Sequence, residues 1–352
     1  MPYELTGFNR RAQRNFVAAA GGKGLHEFFG AEPHTGYVYF KGSKLDRMAR
    51  YLPYHRLPAE AKPASGGQIR SGEFHLNEYG TAHIAGSDDA YDHYVPPAVM
   101  VESERLEDFE NYPMPDIDAP YRLEGAAEMA RKVLDANLCL VGPLEMTIFE
   151  VAWQIRGFER LMMDFCENHD IADCLLDRIT KLSTYRAQQY AKCGADVIRL
   201  GDDVGMEDRL MMSPDLWRRF LKGRLASVIA AARAVKPDVL IFYHSDGFIE
   251  PILGDLIEIG VDVLNPVQPE CMDPAKLKRE YGDRLSFWGS IGIQRTLPFG
   301  TPADVEAEVR TRIETVGKGG GLLLSPTHVL APEVPHENIR AMVKAMRRFG
   351  NC

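Results

Sequence analysis

The sequence predicts an α/β fold, a (β/α)8 TIM barrel with an irregular N-terminal extension, and three observations carry the prediction. Short, wholly apolar runs recur from residue 138 onward, as strands buried on both faces do. Each run is followed, after a short connection, by a stretch with helical period, giving six strand–helix units. Repeated β-then-α with short loops means a parallel sheet, and this number of units favours a barrel. No G-x-G-x-x-G follows any run, so the dinucleotide signature of an open doubly wound sheet, the minority alternative, is missing. Two strands must then come from the N-terminal part, Gly36–Phe40 (GYVYF) being one candidate.

In order, residues 1–35 carry one amphipathic helix around Arg10–Ala20, then Gly21 and Gly22. Residues 41–115 hold a Pro- and Gly-bearing stretch (Leu57–Gly67) and an aromatic, His-rich segment (Phe74–Tyr94). The acidic, proline-bearing stretch Glu102–Pro120 follows. His75, His83 and His93 lack compact ligand spacing and read as surface or substrate-lining residues. Residues 1–120 are therefore expected to form an extension with a helix and short strands packed on the barrel, and 121–352 its main part.

From residue 121 the pattern is regular. Glu124–Asn137 is helical, Leu138–Val141 a strand, and Phe149–Cys166 and Ile171–Lys192 are helical stretches. Asp196–Leu200 is a strand, and Ser213 caps a helix that carries Pro214 in its first turn and runs to Val235. Then follow strand Val239–Tyr243, helix Phe248–Ile259, strand Val261–Asn265 and helix Pro274–Tyr281. Strand Leu285–Gly289, helix Pro302–Val316 capped by Thr301, strand Leu322–Ser325 and helix His336–Phe349 close the series.

A chain of 352 residues with 45% hydrophobic content supports one large domain or a domain with an extension. A net charge of −9, spread along the chain, argues against a nucleic-acid partner. No apolar stretch approaches the roughly 18–20 residues that span a bilayer. Residues 1–20 contain several Arg and only the short apolar run Phe16–Ala20, which reads against a secretory signal. Cysteines 139, 166, 174, 193, 271 and 352 are scattered with no CxxC pair, the pattern of reduced thiols in a cytoplasmic protein.

The chemistry concentrates at the strand ends, where α/β barrels do their work. Val239–Gly247 (VLIFYHSDG) ends a buried run in His244 and Asp246, and side chains two apart in an extended segment point the same way. The competing reading makes Asp246 a cap for a helix starting near Gly247–Phe248. Asp202 and Asp203 follow Leu200; Asn265, Gln268, Glu270 and Cys271 follow Leu264; Thr327 and His328 follow Leu324. Such a gathering suits a metal site with spare acid–base groups.

Several segments carry a family resemblance: GPLEMTIFEVAWQIRGFERLMMDF (142–165), GADVIRLGDDVGMEDRLMMSPDLWRRFLK (194–222), HSDG, GVDVLNPVQ, FWGSIG and LLLSPTHVLAPEVPHENIRAM (322–342). They resemble the uroporphyrinogen decarboxylase superfamily, and within it the cobalamin-dependent methyltransferase branch. NEYGTAH (77–83) is similar to that family's D-E-W/F-G element. The Arg-rich N-terminal element with which decarboxylases of the family grip porphyrinogen carboxylates has no counterpart in residues 1–50. Family methyltransferases bind zinc through H-x-C and a later Cys four residues before a Pro. Those landmarks fall on His244, Asp246 and His328, with Cys271 as a candidate fourth ligand. The resemblance thus implies H-x-D…H in place of H-x-C…C, a set that still suits Zn2+ among other divalent ions.

Harder ligands leave a metal more electrophilic, which favours an ether or amine leaving group over a coenzyme M-type thiol. The resemblance accordingly implies transfer of a methyl group from a small methylated substrate, an aryl methyl ether first, to a reduced corrinoid (cob(I)alamin) on a partner protein. That is an O-demethylase reaction, with Asp202, Asp203 or Glu270 handling a proton and Phe149, Tyr243 and Trp288 walling an aromatic ring. The alternative is a metal-independent decarboxylase of a small non-porphyrin acid, with Arg199 or Arg295 facing the carboxylate. A non-enzymatic corrinoid-binding protein is a further alternative. The oligomeric state stays open, a homodimer among the options.

Overall fold

The computed structural model describes residues 35–44, 49–54, 74–84 and 93–350, and the helix expected at Arg10–Ala20 lies outside them. Two compact units alternate along the chain. The first comprises Tyr37–Asp202 and Met212–Val239, and the second is built around Asp203–Met211 and Leu240–Cys352.

Strand β1 (Thr35–Tyr37) leads into the first unit, where Val38 N donates to Val141 O at 3.1 Å. Strands β2 (Phe74–Leu76), β3 (Ala82–Ile84) and β4 (His93–Tyr94) form a small antiparallel sheet. In it His75 sits opposite His83, and their rings stack with centroids 5.6 Å apart. The turn between β2 and β3 is tied by Asn77 Oδ1, which accepts from the Tyr79 and Thr81 amides, while Glu78 pairs with buried Arg122 at 2.6 Å. Strand β5 (Cys139–Glu145) runs parallel to β6 (Val197–Gly201), with Val141 opposite Val197 and Glu145 opposite Gly201.

β5 continues through Gly142-Pro143, where the sequence suggests an end. Gly142 serves packing there, because a Cβ on it would lie 2.5 Å from the Tyr190 ring. The helices are α1 (Leu106–Asn111), α2 (Ala126–Asp135), α3 (Phe149–Arg156), α4 (Phe158–Glu167), α5 (His169–Lys192) and α6 (Gly223–Val235). The stretch expected as one helix over Phe149–Cys166 breaks at Gly157, whose φ of +91° is incompatible with a helix interior. Ser213 caps the turn Pro214–Trp217 as expected, its Oγ accepting from Leu216 N at 3.2 Å. Beneath these helices Phe165 and Phe220 stack at 4.3 Å. Fully buried Arg156 pairs with Asp164 at 2.6 Å and donates to the carbonyls of Met100 and Ser103.

In the second unit β7 (Leu240–His244), β8 (Val263–Asn265), β9 (Ser286–Ile291) and β10 (Leu322–Pro326) pair in sequence order, all parallel. Helices α7 (Leu253–Ile259), α8 (Pro274–Tyr281), α9 (Pro302–Thr315) and α10 (His336–Phe349) alternate with them. α8 and α10 carry the predicted bounds, and α9 opens on a capping box between Thr301 and Asp304. α7 starts late, after a 3-10 turn at Glu250–Ile252, because Pro251 has no N–H to offer a preceding helical turn.

Gly289 has φ +129°, and a Cβ there would lie 2.2 Å from Pro266 O. Gly289→Ala is therefore expected to destabilise the protein by about 1–3 kcal/mol or more through backbone strain alone, read as a lower urea midpoint. A midpoint equal to wild type would show that the strand end relaxes freely. Among the described residues no helix is long and apolar enough to cross a membrane.

Candidate metal centre

His244 ends β7, Asp246 follows two residues on, and Asp203 opens the loop Asp203–Met211 of the same unit. Each offers a ligand atom, and the three atoms lie within 4.8 Å of one another. His244 Nε2 is 3.6 Å from Asp203 Oδ1 and 3.9 Å from Asp246 Oδ1. All three side chains are partly buried.

Backbone packing sets this arrangement. A Cβ on Gly205 would lie 2.5 Å from Asp246 O, and one on Gly247, at φ +81°, would lie 2.6 Å from Met206 O. Two glycines thus let the Asp203–Met211 loop and the segment after β7 close on each other. Ser245 Oγ accepts from Val204 N at 3.1 Å and donates to Asp246 O at 3.1 Å. Phe248 N donates to Met206 O at 2.6 Å, and Asp246 N donates to Asp203 Oδ1 at 2.8 Å. The carboxylate of one acidic residue is therefore held by the amide of the other.

The imidazole is oriented from behind. Asn265, at the end of β8, donates through Nδ2 to Trp288 O at 2.8 Å, which leaves its Oδ1 to accept from His244 Nδ1 at 2.6 Å. That hydrogen bond places the ring proton on Nδ1 and turns the Nε2 lone pair toward the two carboxylates. A lone pair facing two carboxylates, with Asp246 Oδ1 buried and without a hydrogen-bond partner, is a donor set that could hold a cation. Burial first, then the Asp203 charge, raises the Asp246 carboxyl above its ordinary range, and only a positive charge on His244 or His328 opposes the shift. Asn265→Ala is expected to weaken metal affinity by about 10–100-fold, measured by chelator competition, with Asn265→Asp retaining more because it keeps an acceptor for Nδ1–H. Equal affinities for Ala and wild type would remove Asn265 from the site.

The other expected residues take different places. Asp202, in the first unit, is 4% exposed, and its oxygens accept from the Ile148 and Glu150 amides at 3.0 Å, the N-terminus of α3. These contacts are those of a helix cap. His328 lies outside the triplet, though near enough to act electrostatically on Asp246. Cys271 Sγ donates to Glu207 Oε2 at 3.5 Å. Burial, Glu207, Glu270 and Asp246 push its thiol up to about 12, so the protein alone does not make it a thiolate. Glu270 Oε1 accepts from Gln294 N at 3.3 Å, while its Oε2 is buried without a partner.

Phe149, Tyr243 and Trp288, expected as an aromatic wall, are instead core residues at 0%, 1% and 7% exposure. Arg199 is paired with Glu145 at 2.9 Å. Asp246 does not cap a helix, since none begins at Gly247. The role of Asp203 was only half visible in the sequence. Two adjacent aspartates at a strand end must diverge, but nothing local says which one turns to the histidine. Asn265 and Glu207 carried no signal beyond their place after a strand.

Residues 81–349 match the uroporphyrinogen decarboxylase (URO-D) family. The chain is 30% identical over 224 residues to the methylcobamide:CoM methyltransferase MtaA of Methanosarcina barkeri, covering 64% of this chain and 62% of that protein. The chain thus spans 62% of the length of the curated methyltransferase it matches. It is 24% identical over 267 residues to a uroporphyrinogen decarboxylase of Coxiella burnetii, covering 72% of this chain and 70% of that one. Among solved structures, a methyltransferase from Methanosarcina mazei superposes with a TM-score of 0.62 at 22% identity, covering 99% of this chain and 100% of that one. The likeness establishes the fold class, α/β of the TIM-barrel type, as the sequence predicts.

Proposed function

The chain belongs to the uroporphyrinogen decarboxylase family, and from that premise we propose that it is a metal-dependent methyltransferase. It moves a methyl group from a small methylated substrate to a reduced corrinoid carried by a partner protein. The observation that supports this most directly is the Asp203–His244–Asp246 triplet, in which one nitrogen lone pair and two carboxylates converge. The donor set suits a divalent ion such as Zn2+, and a bound ion would act as a Lewis acid on the leaving oxygen or nitrogen.

The chain's own residues divide the remaining work. Asn265 fixes the His244 tautomer, and the Asp246 amide fixes the Asp203 carboxylate. Of the carboxylates expected to move a proton, Asp202 serves backbone amides and Asp203 belongs to the triplet. Glu270, with Oε2 buried and unpartnered, is the one we assign to protonating the leaving group. An aryl methyl ether is the first substrate we assign, because an oxygen-rich set favours a departing phenoxide over a thiol. Its ring has to be held by residues other than Phe149, Tyr243 and Trp288.

The experiment is anaerobic incubation of purified protein with cob(I)alamin and a panel of aryl methyl ethers, methanol and methylamines, following loss of the cob(I)alamin absorbance. Turnover with at least one donor, abolished by a chelator, is the expected result. No turnover with any donor, together with no bound metal after chelator-free purification, puts the metal-independent decarboxylase first.

A further inference from the structure

We propose that the second unit holds a binding site for a small zwitterion bearing a primary or secondary ammonium group, an α-amino acid or its N-monomethyl relative. The site is a cavity of about 290 Å3 lined by residues after β8 and β9 and on α9, chiefly Glu270, Arg295, Thr296, Glu308 and Arg312. Its volume is at the small end of ligand clefts, right for a molecule of a few heavy atoms.

Glu308 is the anchor. Its side chain is 10% exposed, and Oε1 accepts from Gly292 N at 3.0 Å and pairs with Arg312 at 3.4 Å. Oε2 is buried and has no hydrogen-bond partner. Glu270 repeats the pattern: Oε1 is engaged by Gln294 N, and Oε2 is buried and unpartnered. Both residues line one cavity, and a buried, orphaned carboxylate oxygen is costly unless a donor reaches it; a positively charged N–H donor satisfies it best.

Arg312 cannot be that donor for both, since its Nε is committed to Ser290 O at 2.9 Å and its Nη2 to Glu308 Oε1. Arg295 also lines the cavity and is exposed, and among the described residues its guanidinium has no ion pair or hydrogen bond. It is a guanidinium available to an anion, and its planar fork matches a carboxylate. One ligand carrying both charges meets both demands. No aromatic residue is among those lining the cavity, so it lacks the cage that holds a quaternary ammonium. The ammonium must therefore keep at least one N–H.

This inference shares Glu270 with the proton step proposed above but uses no ligand of the metal centre, and its test is run on the full chain stripped of metal by a chelator. Isothermal titration calorimetry would use the twenty α-amino acids, sarcosine, glycine betaine, acetate and methylamine as probes. At least one primary or secondary amino acid is expected to bind with a millimolar or tighter Kd. Glycine betaine, acetate and methylamine should each bind at least about tenfold more weakly than that ligand. Glu308→Gln and Arg295→Ala should each weaken binding by about tenfold or more, with metal content on reloading unchanged. Arg295 is at the surface, so its variant folds even if the buried Glu308 variant does not. Water alone in the cavity gives no heat with any amino acid, and that result overturns the proposal. So does binding that is unchanged in Arg295→Ala, or betaine binding as tightly as the best amino acid.

Discussion

Replacing His244 by alanine is expected to strip the protein of its metal. Elemental analysis after chelator-free purification should give about one divalent ion per chain in the wild type and near none in the variant. Outer partners of metal ligands already cost about 10–100-fold in affinity, so the loss of a ligand should exceed that range. Asp203→Asn should behave like His244→Ala, because Asp203 shares the triplet. His328→Ala is the informative contrast. Family landmarks make His328 a ligand, whereas the geometry puts it outside the three converging atoms, and its variant should retain most of the metal. Metal kept in Asp203→Asn and lost in His328→Ala would restore the motif-based set and reject the geometric one.

Breaking the buried Arg156–Asp164 pair should give the largest loss of stability. The two side chains are 0% and 1% exposed and meet at 2.6 Å. Asp164→Ala leaves a guanidinium uncompensated in the core, an effect of about 3–5 kcal/mol, to be read from urea denaturation. The double variant Arg156→Met/Asp164→Leu should recover much of that loss, since it buries no charge. Recovery will be incomplete, because Arg156 also donates to the Met100 and Ser103 carbonyls, which then lose their donor. A single variant that costs less than about 1 kcal/mol would mean that water reaches the pair.

The regular part of the fold was legible because its signals are local. Pro274 and Pro302 at helix starts, Ser213 and Thr301 as caps, and unbroken apolar strands each speak for themselves. Errors arose where a neighbour decides. Gly157 splits a helix that periodicity runs through, and Gly142-Pro143 lies inside a strand because Tyr190 packs over the glycine. At the centre, the spacing of His244 and Asp246 foretold their convergence. The choice between Asp202 and Asp203 was not foretold, because it depends on a helix start more than fifty positions away in sequence and on an amide at Asp246. Asn265 was equally hidden, since its value lies in bonding His244 and Trp288 at once.

The clasp between Gly205 and Gly247 has a thermodynamic consequence. It sets two like charges side by side through backbone bonds, so an arriving cation finds its seat already shaped and spends little on ordering loops. Occupancy and unfolding are thereby coupled: an ion at a hundredfold its Kd should raise the unfolding free energy by about 2.7 kcal/mol. Melting curves across a series of divalent ions would then rank the ions by fit, with no methyl donor in the cuvette. The protein's heat resistance would then be a gauge of which metal fits the proposed site.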